Sequence, residues 1–360
     1  MHIQRRRFQH FMGLLVAIVF LLANDLYGSN DINQQKPYDE TNQRQKMQPK
    51  NIIPALESKD SSAFMPVIRY LAGIKKEAAK KDIQNLERAA NALKTILSQN
   101  QDSPDIKEPA IQALIKVTGK SEAFEFLSGW NWNLQLYDSC REDWKDHWIL
   151  DGTKATLKNT EKGMAFYAGP DPRSDSSHAV LWTKEYFKGD LKIEYDYTRL
   201  DEQTKFVNII YIQATGSGEG YQDKDIAKWA DKREYPAMSQ YFGKMYIYHI
   251  SYAAFTNVDG ENKPGYIRAR RYMADELHGT EIEPDYRPGS FFETNIPHHI
   301  KFIKTNRHLF MHISSSGEEL LCHWYNTKFP PINEGYIGLR HMRTRAARYK
   351  DFKISELIAY

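Results

Sequence analysis

The sequence predicts a mainly β fold: an antiparallel β-sandwich of the jelly-roll kind, preceded by a small α-helical region. Three observations support it. From Gly129 onward, Trp, Tyr and β-branched residues come in short runs broken by Gly, Pro, Asp and Asn, which is the composition of strands and turns. No segment with helical spacing separates those runs, which argues against a parallel sheet with crossover helices and for an antiparallel sandwich. Before Gly129, apolar residues step instead by three and four. At 360 residues, 41% hydrophobic and 26% charged, the chain can bury a large core and is neither a disordered tail nor a coiled coil.

Taken in order, residues 1–28 read as a secretory signal peptide. Arg5, Arg6 and Arg7 precede an unbroken apolar run of 13 residues at 11–23, and small and polar residues follow around Gly28 and Ser29. The run is shorter than the roughly 17–25 residues of a spanning helix, so the mature protein is expected to be periplasmic or secreted, with no stable membrane span. Residues 29–50, rich in Asn, Gln, Lys and Pro, read as a disordered linker. The helical region covers 51–128. Ile83, Leu86, Ala90, Leu93 and Leu97 make one apolar stripe on a helix over 82–98, and Val67, Leu71, Ile74 and Ala78 mark an earlier one. A third starts near Asp105, where Asp105 and Glu108 fit a capping box, and runs through Ile111, Leu114 and Ile115. Without His, Trp or Cys, this region reads as a packing or spacer module. Residues 129–360 are the expected jelly-roll catalytic domain, with strands at 165–167, 179–183, 191–197, 207–213, 245–253, 266–271, 299–303, 309–314, 319–325, 336–341 and 352–357. The stretch 221–243 reads as a long loop with a helical turn near 227–231, a common place for binding residues.

Charge narrows the partners. Lys and Arg number 49 against 46 Asp and Glu, a net +3, of which the three arginines and Asp25 of the first 28 residues supply +2. No global basic field remains, and no nucleic-acid partner is expected. Cys140 and Cys322 can form one disulfide or stand as two small buried hydrophobes. There is no phosphate-binding glycine loop, Gly-x-Ser-x-Gly elbow or Cys-x-x-Cys pair. His308 and His312 have the spacing of a helical metal pair but fall in a predicted strand, where four residues span ~13 Å. Asp223 and Asp225 are the acids a structural calcium would use. No metal and no cofactor is expected. Glu194 and Asp196 share a strand face and resemble the start of the Glu-x-Asp-x-x-Glu motif of jelly-roll glucanases, but Arg199 stands where the second glutamate belongs, so they read as solvated acids.

Three segments, 246–252, 266–272 and 338–345, are denser in Tyr, Arg and His than a sandwich surface requires. Alternation puts Arg268 and Arg270 on one face with Tyr266 and Tyr272 beside them. Tyrosines that stack on sugar rings, arginines that fork onto carboxylate or sulfate, and a histidine of near-neutral pKa suit an anionic oligosaccharide.

On the stretches 178–182, 187–190 with 193–196, 248–252, 338–342 and 349–352, the sequence resembles the YesU-like family of the concanavalin-like jelly-roll superfamily, over about residues 130–358. That resemblance implies a place among enzymes dismantling uronate-containing polysaccharides, pectic rhamnogalacturonan and algal ulvan, with the ulvan side closer, and implies β-elimination by a lyase or dehydratase. Elimination needs a base for the C5 proton, a proton for the group leaving C4 and a cation on the carboxylate. The expected roles are His249 as base, Tyr252 as proton donor, and Arg340 with Arg268 as clamp. His178, Trp182, Gln213, Tyr248 and Arg270 are expected to bind the sugar. His249 and Tyr252 are an odd number apart and reach one groove only across a bulge. Two alternatives stand: a glycoside hydrolase with Glu194 and Asp196 in the groove, or a non-catalytic carbohydrate-binding module.

Overall fold

The computed structural model describes residues 51–75, 77, 85–255, 265–276 and 279–358. The expected signal peptide and linker, and the helical positions Ala78 and Ile83, lie outside the described residues. Helices α1 (Ile52–Leu56), α2 (Ser61–Gly73), α3 (Leu86–Gln99), α4 (Pro104–Thr118) and α5 (Lys120–Ser128) come first. Their apolar stripes meet in one core that includes Leu71, Leu93, Leu97, Ile111 and Leu114. The expected capping box on α4 is not formed. Pro104 opens the helix after Ser103, and Glu108 turns its carboxylate to the sandwich, accepting from Thr305 Oγ1 at 2.8 Å and from the Asn306 and Arg307 amides at 3.1 and 2.9 Å. Beside it Lys107 donates to the buried Asp190 at 2.6 Å. Phe124 of α5 packs on Phe310 and His312. The helical region is therefore docked on the sandwich by a paired ionic seam as well as by apolar contact.

The sandwich consists of two antiparallel sheets, with strands numbered along the chain. The first runs β14 (Glu318–Tyr325), β13 (His308–Ser315), β12 (Pro297–Lys304), β7 (Leu191–Arg199), β16 (Ala346–Leu357), β4 (Gly163–Tyr167), β3 (Thr156–Thr160), with β1 (Trp132–Asp138) also on β16. The second runs β11 (Glu281–Tyr286), β10 (Tyr266–Tyr272), β9 (Met245–Ala254), β8 (Asn208–Gly216), β15 (Glu334–His341), β5 (Ala179–Thr183), β2 (Trp148–Asp151), with β6 (Phe187–Lys188) on β15. Every predicted run is a strand. β1, β2, β3, β6 and β11, which were not predicted, lie at sheet ends or branches, where strands are short, polar or, like β11, carry a proline.

Alternation fills the space between the sheets. On β7, Leu191, Ile193, Tyr195 and Tyr197 point in, while Lys192, Glu194 and Asp196 point out. From the facing sheet come Tyr248, Ile250 and Tyr252 of β9 and Ile337 and Leu339 of β15. Cys140 and Cys322 are buried and free, so they are small hydrophobes rather than a disulfide. His308 and His312 do not converge on a metal: His308 Nδ1 sits 2.9 Å from His323 Nε2, and His312 packs on Phe124. Among the described residues no helix is long and apolar enough to cross a membrane.

Candidate functional site

The candidate site lies on the outer face of the second sheet, part of which is covered by a strap. The strap is the 221–243 segment, with a 3-10 stretch at Ile226–Arg233 and helix α6 (Ser239–Phe242), much as the sequence suggests. It is pinned by one buried carboxylate. Asp151 Oδ2 accepts from Trp182 Nε1 at 2.7 Å, Arg233 Nε at 2.6 Å and Tyr241 OH at 3.1 Å. Trp182 then lies flat under the strap, stacked with Tyr211 and Tyr241 at 5.4 and 6.3 Å. Gly338 makes this possible, since a Cβ there would stand 2.5 Å from the Trp182 ring. Asp223 and Asp225 are engaged in the strap's own turns, Asp223 accepting from Lys228 and Asp225 from the Ala227 amide and Tyr336.

Beyond the strap a cavity of about 230 Å³ opens over β8, β9 and β10. Pairing register sets out its floor: Ile209, Ser251 and Arg268 form one cross-strand row, and Tyr211, His249 and Arg270 the next. His249, Ser251, Arg268, Arg270, Tyr266 and Tyr272 line it, and Met238 and Phe242 of the strap close one side. His249 Nε2 lies 2.6 Å from Ser251 Oγ, and its ring meets Tyr272 edge-on at 5.1 Å. Burial, followed by the positive charges of Arg270, Arg340 and Arg268, holds His249 well below the usual imidazole range, so it is neutral at neutral pH. Burial holds the Tyr272 phenol above its ordinary value, with Arg270 pulling it back.

The arginines differ in their partners. Arg268 Nε donates to both oxygens of Asp285 at 2.9 and 3.0 Å, and Arg270 pairs with Glu281 at 3.0 Å. Arg340, on the same face one strand beyond Ile209, is fully buried. It donates to the Pro236 carbonyl of the strap at 3.0 Å and lies 4.5 Å over the Tyr241 ring. Among the described residues it has no ion pair, and its Nε and Nη1 have no hydrogen-bond partner. His178 is buried nearby at 3.1 Å from Asp175, and burial and Arg340 push it down to about 3.

The structure therefore brings His249, Arg268 and Arg270 together in the groove, with Arg340 and His178 buried alongside. The other expected residues are not there. Tyr252 faces the core, accepting from Tyr195 OH at 3.1 Å. The bulge that would have turned it falls too late, since the β9–β10 register slips between Ser251 and Ala254, at Ala253 with φ +44°. Tyr252 cannot donate a proton in the groove. Tyr248 faces the core too, accepting from Asn326 at 2.7 Å. Gln213 sits in a bulge at φ +54° and donates to the Gly189 carbonyl at 3.0 Å. Trp182 is 1% exposed and offers no ring to a sugar. Glu194 and Asp196 stand on the outer face of the other sheet, Glu194 near Lys192 and Lys301, Asp196 at 2.9 Å from His299. Sequence reasoning had assigned no role to Ser251 and Asp151 and set Tyr272 only beside the arginines; the same alternation that placed Arg268 and Arg270 together could have found Ser251 from His249.

No curated protein matches the chain. Among solved structures it is similar to a protein of unknown function with a galectin-like fold from Bacillus subtilis, at 18% identity over 63% of this chain and 98% of that one, TM-score 0.47. It is also similar to the exoplasmic/lumenal domain of VIP36 in its Ca²⁺/Man3GlcNAc-bound form, at 11% identity over 63% of this chain and 92% of that one, TM-score 0.42. A third is the carbohydrate-binding module CBM66 from Bacillus subtilis, at 13% identity over 58% of this chain and 96% of that one, TM-score 0.35. The model of one family, a domain of unknown function termed DUF1961, matches residues 136–354, most of the sandwich and more than half of the sequence. The chain belongs to the DUF1961 family.

Proposed function

We propose that the groove beside the strap is a carbohydrate site that takes an anionic, uronate-bearing oligosaccharide. The observation that carries this is the groove's lining, in which Tyr266 and Tyr272, Arg268 and Arg270, and the neutral His249 with Ser251 share one cavity on the outer face of a jelly-roll sheet. Tyrosine rings match the apolar faces of a sugar, and guanidinium groups match its carboxylate.

The finer reading is β-elimination. The Ser251–His249 pair takes the C5 proton, its electron pair becomes the C4–C5 double bond, and the C4–O bond breaks as Tyr272 gives its proton to the departing oxygen. A neutral imidazole can accept that proton and a raised phenol holds one to give. Arg268 and Arg270 sit where they would steady the uronate carboxylate. Tyr272 here takes the role first expected of Tyr252. A non-catalytic binding module is the second reading, and one observation favours it: both groove arginines already have carboxylate partners, which suits holding an anion better than strongly polarising it.

Ulvan-derived and pectic uronate oligosaccharides, as substrates of an algal or plant polysaccharide system, separate these readings. Loss of one water from an intact oligosaccharide, with new absorbance of an unsaturated uronate, marks a dehydratase. Two fragments, one unsaturated, mark a lyase. Affinity without either marks a binding module. No affinity for any of them overturns the proposal.

A further inference from the structure

Strand β10 breaks its own pattern at Arg271. Ile267 and Ala269 point into the core, and alternation gives position 271 the same direction, yet it holds a guanidinium. Arg271 is 3% exposed. Its Nε donates to the Pro330 carbonyl at 3.1 Å and its Nη1 to the Tyr272 carbonyl. Tyr246 and Tyr248 flank it, with ring centroids 5.6 and 5.7 Å away. Among the described residues no carboxylate lies within ion-pair distance. A buried cation held only by carbonyls and rings is under-compensated, and an anion is what such a position lacks.

Arg271 also lines a cavity. Of about 560 Å³, it opens where the 330–334 turn crosses the end of β10, and Lys224, Tyr246, Met273, Pro331 and Ile332 line it with Arg271. Lys224 is exposed and forms no ion pair among the described residues. Glu334 is the opposing carboxylate in the wall, and after burial its charge helps to hold the Tyr186 phenol above its ordinary value. The cavity is thus cationic by one charge, has an aromatic and prolyl wall, and falls within the roughly 300–1,000 Å³ usual for ligand clefts. It is separate from the groove: Arg270 faces one and its neighbour Arg271 the other.

We propose that this cavity is a second ligand site, for an oxyanion, carboxylate or sulfate, carried on a sugar-sized ring. Arg271 and Lys224 receive the charge, while Tyr246 and Pro331 receive the ring. The inference does not depend on the groove's function.

The test is calorimetric titration with glucuronate, glucose 6-sulfate and glucose, on the wild-type chain and on Lys224→Glu, Arg271→Gln and the groove variant His249→Asn, with thermal melting of each. One or both anions bind and glucose does not, whichever anion binds tighter identifying the group. Lys224→Glu weakens that binding at least tenfold without lowering Tm, Arg271→Gln does the same where it folds, and His249→Asn leaves it in place. Equal affinity for glucose, or unchanged anion affinity in Lys224→Glu, overturns the site. Loss of all anion binding in His249→Asn alone assigns the binding to the groove and overturns it as well.

Discussion

Strands β7 and β9 are central in their respective sheets, and their outward residues behave in opposite ways. On β7 the outward Lys192, Glu194 and Asp196 are partly solvated and pair with one another or with Lys301 and His299 across the sheet. On β9 the outward His249 and Ser251 are buried, beneath a groove and beside a strap. Charges on a wet face can leave or find partners at little free-energy difference. A buried imidazole kept neutral, or a buried guanidinium with two unpaired donors like Arg340, carries a penalty that packing alone does not offset. The first sheet also buries a neutral imidazole, His308, but seals it under the helices, whereas His249 lines an open cavity, and that is why the outer face of the second sheet is the one proposed to carry the function.

Acid should have the largest effect, with His298, His308, His323 and His341, also held below the ordinary value by burial, adding to it, so that the His249 variant is needed to isolate the groove's share. His178 is held at about 3 and His249 well below the ordinary value, so both stay neutral in the folded chain while the unfolded chain takes up protons below about pH 6.5. Their stabilising contribution is complete above that pH and is lost as pH falls toward the folded values, at about 1.4 kcal/mol per pH unit for each group. Denaturant titrations between pH 7 and 4.5 should show the loss, and His249→Asn should lessen the slope by about one proton. Asp151→Ala comes next, because it leaves Arg233 buried without its carboxylate. The expected cost is about 3–5 kcal/mol, read as a fall in Tm of roughly 10 °C, with new proteolytic cuts in the strap. Tyr252→Phe removes only the buried phenol–phenol hydrogen bonds to Tyr195 and Tyr349, at about 1–2 kcal/mol, with oligosaccharide affinity intact. Glu194→Gln, on the wet face, should change stability by under about 0.5 kcal/mol and leave affinity unchanged, which sets it apart from a glycosidase acid.

The same contrast explains what the sequence made legible. Interior strands such as β7, β12 and β16 announce themselves by alternation, and α3 by its leucine and alanine stripe, because each has one wet and one dry side. His249, Arg268 and Arg270 could be singled out since their chemistry is rare for a sheet surface, and they line one cavity. Tyr252 was misplaced because tyrosine serves equally in a core and in a site, and only the position of the bulge at Ala253 decides which. Asp151, the pin of the strap, shows no local signal at all: its partners Trp182, Arg233 and Tyr241 come from distant parts of the chain. Glu108 looked like a helix cap and is instead a buried acceptor for the 305–307 turn, again through a long-range partner.

One pair of variants tests the central claim most directly, since His249 and Tyr252 lie on one strand and face opposite ways. Titrating a uronate oligosaccharide into His249→Asn and Tyr252→Phe, while following unsaturated-uronate absorbance, should show His249→Asn losing at least tenfold in affinity or turnover with Tm nearly unchanged, and Tyr252→Phe retaining both. If Tyr252→Phe loses ligand or turnover and His249→Asn keeps them, the groove face is not the functional one.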